Sequence, residues 1–408
     1  MEQFTSFITE QKNNHMTHIE DKVIYGGVKG TRQAIMALRE LRDMLKGSHD
    51  GSVSVKWDGA PSIFAGIDPR DGKFFVAKKG IFNKNPMVYK TNAEVEADTK
   101  GDLAVKLKEA LKYLPALGIK GVVQGDFLYS RADLKTANIK GEKYLTFHPN
   151  TIVYAVPATS AAAKEIKKSR VGIVWHTTYH GSSFETMGAS YGVDTRKFKK
   201  SKNVWSQDAI LRDLTNVTMT KKETTIVNQH LSEAGKLFNQ ISGTTLRQLE
   251  SHPELPRLIE TFNNSFVREG QIIGDTGRHV SKLIAWITTR YQKEINKLKT
   301  EKGKGRKQDK LNDLLEFFSP KNKASLKKMF DLQKVIVLAK LKLINTLNKL
   351  GNVKTFVKTK QGYKVTGAEG YVAIDKLGGD AVKIVDRMEF SYNNFSQDIL
   401  KGWDKPGR

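Results

Sequence analysis

The sequence predicts an α+β protein. Short apolar or alternating runs of strand length fill 51–192 and recur over 353–395, whereas between them the apolar residues switch to helical spacing. At 408 residues and 39% apolar content, the chain is large enough for two or three domains with cores of their own.

Taken in order, the first 50 residues carry the stripe Ile35, Leu38, Leu41 and Leu45, which predicts one helix over 30–45 packing on the domain that follows. Ser52-Val53-Ser54-Val55 alternates as a strand. It runs into Lys56-Trp57-Asp58-Gly59-Ala60-Pro61, whose Gly-Ala-Pro end reads as a turn, so Lys56 stands at a strand end. Phe74-Phe75-Val76-Ala77 is a further strand, delivering Lys78 and Lys79. The run from Gly121 to Tyr129 reads as a buried strand with one carboxylate, Asp126, next to Phe127. Thr151 to Val156 and Val171 to His176 are strands bearing Tyr154 and Trp175.

The segment 193–352 reads as all-α. Lys222 to Ile241 and Glu254 to Val267 carry apolar stripes, and Val280, Leu283, Ile284, Ile287, Tyr291, Ile295 and Leu298 predict a helix over 277–300. Ser319-Pro320 supplies an N-cap and a first-turn proline, and Gly351 a C-cap, for one long helix. Lys302, Lys304, Arg306 and Lys307, interleaved with Gly303 and Gly305, read as a flexible basic loop. Strand character then returns in Gly370 to Ile374, with Glu369 at its mouth, and in the run holding Lys383, Val385 and Arg387; 396–408 reads as a tail.

This ordered set resembles the covalent nucleotidyltransferase superfamily of polynucleotide ligases and capping enzymes. Glu369-Gly370-Tyr371-Val372, a Lys-x-Asp-Gly without a following arginine, and Lys79-Gly80 look most like the RNA ligases of T4-type phages. The likeness spans roughly 50–192 and 353–395, and its specificity lies in the order of the runs. It implies an ATP-dependent ligase working through a lysyl-AMP at Lys56, with Glu369 and Lys383 also catalytic. Val55, Asp58, Lys78, Lys79, Asp126, Phe127, Trp175 and Arg387 are then nucleotide contacts, and ATP and Mg²⁺ the cofactors. The implied fold is a ligase-type nucleotidyltransferase domain of antiparallel sheets at 51–192 and 353–395. The all-α segment is inserted into it, because Asp126 and Glu369 serve one site. The residues after Lys383 are too few for the OB-type domain common in ligases. Three positions depart from the pattern: Pro61 replaces an arginine, Asp126 a glutamate and Val385 a lysine, with Arg387 or Lys78 able to restore the charge lost at Val385. A nucleotidyltransferase that does not seal strands, and an inactive nucleic-acid-binding relative, are the alternatives.

The chemistry asks for the same residue types. Lysine can lose a proton and attack phosphorus, which arginine cannot do. Its ordinary pKa is about 10.4, so neighbouring cations, here Lys79, Lys383 and Mg²⁺, have to lower it. The same charges stabilise the α-phosphate in the transition state. Glu369 is the first choice to hold Mg²⁺, which prefers one or two carboxylates plus phosphate oxygens. Asp58 either contacts the nucleotide or braces Lys56 and its turn. Phe127, Tyr154 and Trp175 are candidates to stack on the base.

Net charge is the other strong signal. A formal charge of +25 and a pI near 9.8 point to an anionic partner, nucleic acid first, with RNA favoured by the resemblance. Much of the excess lies in 193–352, where Lys302, Lys304, Arg306 and Lys307 are the expected nucleic-acid contacts. With no cysteine, disulfides and thiolate-bound zinc are excluded. No signal peptide or membrane span is evident, so a cytoplasmic location is expected, in the host if the chain is phage-encoded. There is no P-loop and no Gly-x-Ser-x-Gly elbow. His15 with His18, and His176 with His180, lack a third ligand and read as structural.

Overall fold

The computed structural model describes residues 17–47, 53–211, 219–349, 353–374 and 381–403. The expected C-cap Gly351 and His15 lie outside these. In chain order the elements begin with helices α1 (Lys22–Tyr25) and α2 (Gly27–Leu45). Strands β1 (Val53–Lys56), β2 (Ser62–Ile67) and β3 (Phe74–Ala77) lead to α3 (Asn92–Asp98) and α4 (Gly101–Tyr113). Then come β4 (Val122–Ser130), β5 (Lys135–Ile139), β6 (Glu142–Phe147), β7 (Ile152–Pro157), α5 (Ala161–Lys168), β8 (Val171–His180), β9 (Gly188–Tyr191) and β10 (Val204–Asp208). A helical run follows: α6 (Lys221–Gln240), α7 (Gly243–Ser251), α8 (Leu255–Arg268), α9 (Thr276–Lys297), α10 (Glu301–Glu316) and α11 (Pro320–Leu347). The chain closes with β11 (Lys354–Thr359), β12 (Gly362–Val365), β13 (Gly370–Ile374), β14 (Ala381–Ile384), α12 (Arg387–Phe395) and β15 (Ile399–Leu400).

The described residues thus form a mixed α+β structure with three mainly antiparallel sheets. One sheet has the order β10-β8-β4-β2-β3, with β9 also on β8. A second has the order β12-β11-β7-β6-β5, with β15 on β11. The third is β1-β13-β14, and it brings the start of the strand region together with its end. Alternation explains its two faces. Val53, Tyr371, Ala373, Val382 and Ile384 are buried in the same core as Leu38, Leu283 and Ile336, so the helices pack directly on this sheet. Lys56 and Lys383 lie on the opposite face.

Several expected boundaries move. β10 pairs in parallel with β8, so the strand region continues beyond 192 before the helices begin at Lys221. The N-terminal helix packs chiefly on α6, α7 and α11 rather than on the large sheets. Residues 399–402 are no loose tail, since β15 pairs with β11 and the Gly402 N–H donates to Asn150 O at 2.6 Å. The basic run at 302–307 is helical, not a loop. Thr300 caps α10 by accepting from the Gly303 N–H at 3.2 Å, and Leu311 and Leu314 anchor the helix in the core. Ser319 and Pro320 start α11 as expected, with the Ser319 hydroxyl accepting from the Asn322 N–H.

Candidate active site

Lys56 ends β1 and pairs in register with Gly370, the first residue of β13. That register sets Glu369 beside the lysine. The Lys56 amine donates to the Glu369 carboxylate across a sequence separation of 313 residues, with side chains 28% and 10% exposed. Burial opposes the charge of Glu369, Lys56 favours it, and the neighbouring Asp58 and Asp126 oppose it further; the carboxyl is pushed up to about 7.

Lys383 stands opposite Val372 on β14, on the same face of the sheet as Lys56. Burial lowers its pKa, and the positive charge of Lys56 lowers it further. Two amines therefore share one face of the sheet, with Glu369 holding the first of them. The Gly370 backbone permits this closeness, because a Cβ there would lie 2.3 Å from Cγ2 of the buried Val385. Val385, at the position of a missing cation, is thus a packing residue.

Asp126 comes from the large sheet, where β4 pairs Asp126 with Ser62 of β2. Its carboxyl is also raised to about 7, chiefly by burial, while Lys56 and a hydrogen bond from Ser62 pull the other way. Gly59 makes the approach possible. A Cβ at this position would meet Cβ of Asp126 at 2.5 Å, so the turn lies flat on β4 with Ala60 N–H donating to Phe127 O at 3.0 Å.

Asp58 braces the turn. Its carboxylate accepts from Asn150 Nδ2 at 2.5 Å and from the Thr151 and Ile152 N–H groups at 2.7 and 2.8 Å, and its own N–H donates to Tyr154 Oη at 2.6 Å. Both of its oxygens accept from protein donors. Trp57 packs against Tyr154 with centroids 4.8 Å apart and the rings tilted by 35°, which fixes the other side of the turn.

His176 is the residue that sequence reasoning set aside. Along β4 and β8, Gln124 faces Thr177 and Gly125 faces Trp175, so His176 is the extra residue of a β-bulge. The bulge turns its ring toward the site: Nε2 lies 3.9 Å from Asp126 Oδ2, and Nδ1 is 2.8 Å from Thr177 Oγ1. Burial, with Lys56 as the second cause, lowers its pKa to about 4, leaving a neutral imidazole at pH 7. Only a register with its bulge could have placed it here.

Other expected contacts fall elsewhere. Phe127 and Trp175 are fully buried under α4, and Trp175 Nε1 donates to Ser206 Oγ at 2.9 Å, so neither ring has a free face for a base. Tyr154 is buried as well. Arg387 is committed to Asp21 at 2.9 Å, Glu20 at 3.5 Å and Asn264, two of these partners being buried acids that demand a cation. Lys78 pairs with Asp98 at 2.7 Å. Lys79 is exposed and begins a short 3-10 helix after β3 ends at Ala77, so the strand pairing does not carry it to Asp126. The Val55 side chain packs toward the helical core, and its N–H donates to Ala209 O at 2.8 Å. Among the described residues no group of three or more His, Asp or Glu side chains is arranged to hold a metal by itself.

Fold and site define an α+β protein with a lysine, a second lysine, two carboxyls and a neutral histidine gathered where a three-stranded sheet meets a six-stranded one. Residues 13–399 match a family of unknown function, DUF6267, and the chain belongs to that family. No curated protein and no solved structure is significantly similar to it. No helix among the described residues is long and apolar enough to cross a membrane.

Proposed function

We propose that this protein is an ATP-dependent polynucleotide ligase, acting on RNA, that forms a lysyl-AMP at Lys56. The observation that carries the reading is the convergence of Lys56, Glu369 and Lys383, residues singled out by their order in the chain, at one small sheet, with Lys56 and Lys383 on one face and Glu369 at the mouth of β13 against Lys56. In the reaction Lys56 Nζ attacks the α-phosphorus of ATP, an N–P bond forms and the bond to pyrophosphate breaks. Glu369, already holding the amine and with a carboxyl near pH 7, is suited to take the proton. Lys383 supplies positive charge for the phosphate. Mg²⁺ chemistry fits the donor set, since Glu369 and Asp126 are hard oxygen ligands facing the same lysine, and Mg²⁺ needs only one or two carboxylates beside phosphate oxygens. AMP then passes to a 5′-phosphate and leaves when a 3′-hydroxyl attacks. The fold expected with this reading is a ligase-type nucleotidyltransferase domain carrying the helical run as an insertion.

A second reading is favoured by specific positions. Val385 packs against Gly370 and Arg387 is consumed by Asp21, so neither supplies the cation absent from the pattern. On that reading the chain binds nucleic acid without nucleotide transfer. Incubation with radiolabelled ATP and Mg²⁺ followed by a denaturing gel decides between them. Wild type takes up label that is acid-labile and base-stable, Lys56→Ala and Lys56→Arg take up none, and Glu369→Ala or Lys383→Ala slows labelling by about 100-fold. Absence of label from both ATP and GTP, or normal labelling of Lys56→Arg, sinks the ligase reading.

A further inference from the structure

The cations expected to grip nucleic acid are partly neutralised in the fold. On α10, Lys304 pairs with Glu301 at 2.7 Å and Lys307 pairs with Glu294 while lying over the Tyr291 ring. A different surface carries cations without acidic partners. Lys167, Lys168 and Arg170 leave the end of α5, and Lys199, Lys200 and Lys202 precede β10; all six are exposed, and none forms an ion pair among the described residues. The last-turn lysines of α5 gain something from the helix dipole, but the other three sit on a separate segment and gain nothing from it.

Backbone bonds hold the two segments together. Arg170 and Val171 N–H groups donate to Asn203 O at 2.8 and 3.2 Å, and Val171 pairs with Val204 where β8 meets β10, while the Lys199 N–H anchors its end of the second segment on Leu117 O, after α4, at 2.8 Å. Like charges so fixed repel one another within a screening length of about 8–10 Å, a cost that an anionic ligand relieves. β8 runs from this patch directly to His176, five residues or roughly 17 Å away, so a strand lying on the patch is within reach of the site.

We infer that the surface formed by the end of α5 and the segment before β10 binds the phosphodiester backbone of a nucleic acid strand. This assignment rests on the nucleic-acid part of the proposed function but not on Lys56 chemistry. The backbone is chosen because a linear row of phosphates can engage both segments at once, each neutralised phosphate releasing counterions.

The test is fluorescence anisotropy with a labelled single-stranded 20-nucleotide RNA from 50 to 200 mM KCl. It compares wild type, Lys167→Ala/Lys168→Ala/Arg170→Ala, Lys199→Ala/Lys200→Ala/Lys202→Ala, and the α10 variant Lys302→Ala/Arg306→Ala. Each triple variant is expected to bind at least tenfold more weakly at 100 mM KCl. The salt dependence should flatten by about 0.7 in slope for every phosphate that is no longer neutralised. Thermal melts and ATP labelling of Lys56 should match wild type. Wild-type affinity and slope in both triple variants, or weakening confined to the α10 variant, overturns the assignment. Weaker binding to anionic lipid vesicles with RNA binding intact overturns it in favour of a membrane surface. If wild type fails to label with ATP yet the triple variants release RNA, the ligase reading falls and the surface stands.

Discussion

Asp126 and Glu369 are held near neutrality by the same cause, removal from water, although each faces a lysine that would ionise it. The sign of the consequence for stability follows from Asp126. Its folded pKa of about 7 lies above the ordinary 3.8, so the folded state keeps a proton that the unfolded chain releases. Stability is therefore fully present below about pH 4 and is lost as pH rises toward 7. Asp126→Asn cannot ionise and keeps the shape of the carboxyl. It should match wild type near pH 4 and exceed it at pH 8 by roughly 4 kcal/mol. Thermal unfolding at both pH values checks this, and an equal difference at the two would remove Asp126 as the titrating group. At this scale the sequence was informative where a side chain follows a fixed local pattern: Lys56 ends a short strand, Glu369 immediately precedes one and Lys383 lies within one. It was silent on His176, because a bulge shifts which residue faces Asp126. It also misassigned Phe127 and Trp175, since an aromatic on a strand looks the same whether it faces solvent or core.

Turns and helix starts decide the elements. At the Lys56 turn, Gly59→Ala would force Cβ to within 2.5 Å of Asp126 Cβ and 3.0 Å of Phe127 O, lifting the turn off β4. The expected cost is about 1–3 kcal/mol in urea unfolding, together with loss of labelling at Lys56. Gly188→Ala, with open space around the new methyl group, should change stability by no more than about 0.5 kcal/mol. Equal effects at the two glycines would show that close approach is not what requires Gly59. Helices with strong caps and stripes, such as α9 and α11, were legible from spacing alone. α10 was not, since Gly303 and Gly305 among lysines resemble a loop; the cap at Thr300 and the anchors Leu311 and Leu314 outweigh the roughly 1 kcal/mol each glycine costs a helix. β10 was missed for a different reason. It is a parallel partner of β8 reached after a long excursion, and no local pattern announces such a pairing.

Across the whole molecule, distant segments are joined by a buried ionic cluster. Lys340 of α11 donates to both carboxylate oxygens of Glu20 at 2.8 and 2.9 Å, and Arg387 at the start of α12 reaches Glu20 and Asp21. Lys340→Met leaves Glu20 buried with only the longer Arg387 contact, and should destabilise the protein by about 3 kcal/mol. Adding Glu20→Gln to that variant should recover at least half of the loss, as read by urea unfolding; no recovery would mean that packing at Lys340, rather than its charge, is what matters. None of this cluster was legible beforehand, because its members come from separated stretches of sequence. The pairing of β1 with β13 has a consequence of another kind, in time. A ribosome adding about 5–20 residues per second needs roughly 15–60 seconds to go from Lys56 to Glu369. Throughout that interval the nascent strand carrying Lys56 has no mate on its β13 side, so a polypeptide released early by a stalled or broken message carries the lysine without the carboxylate that holds it.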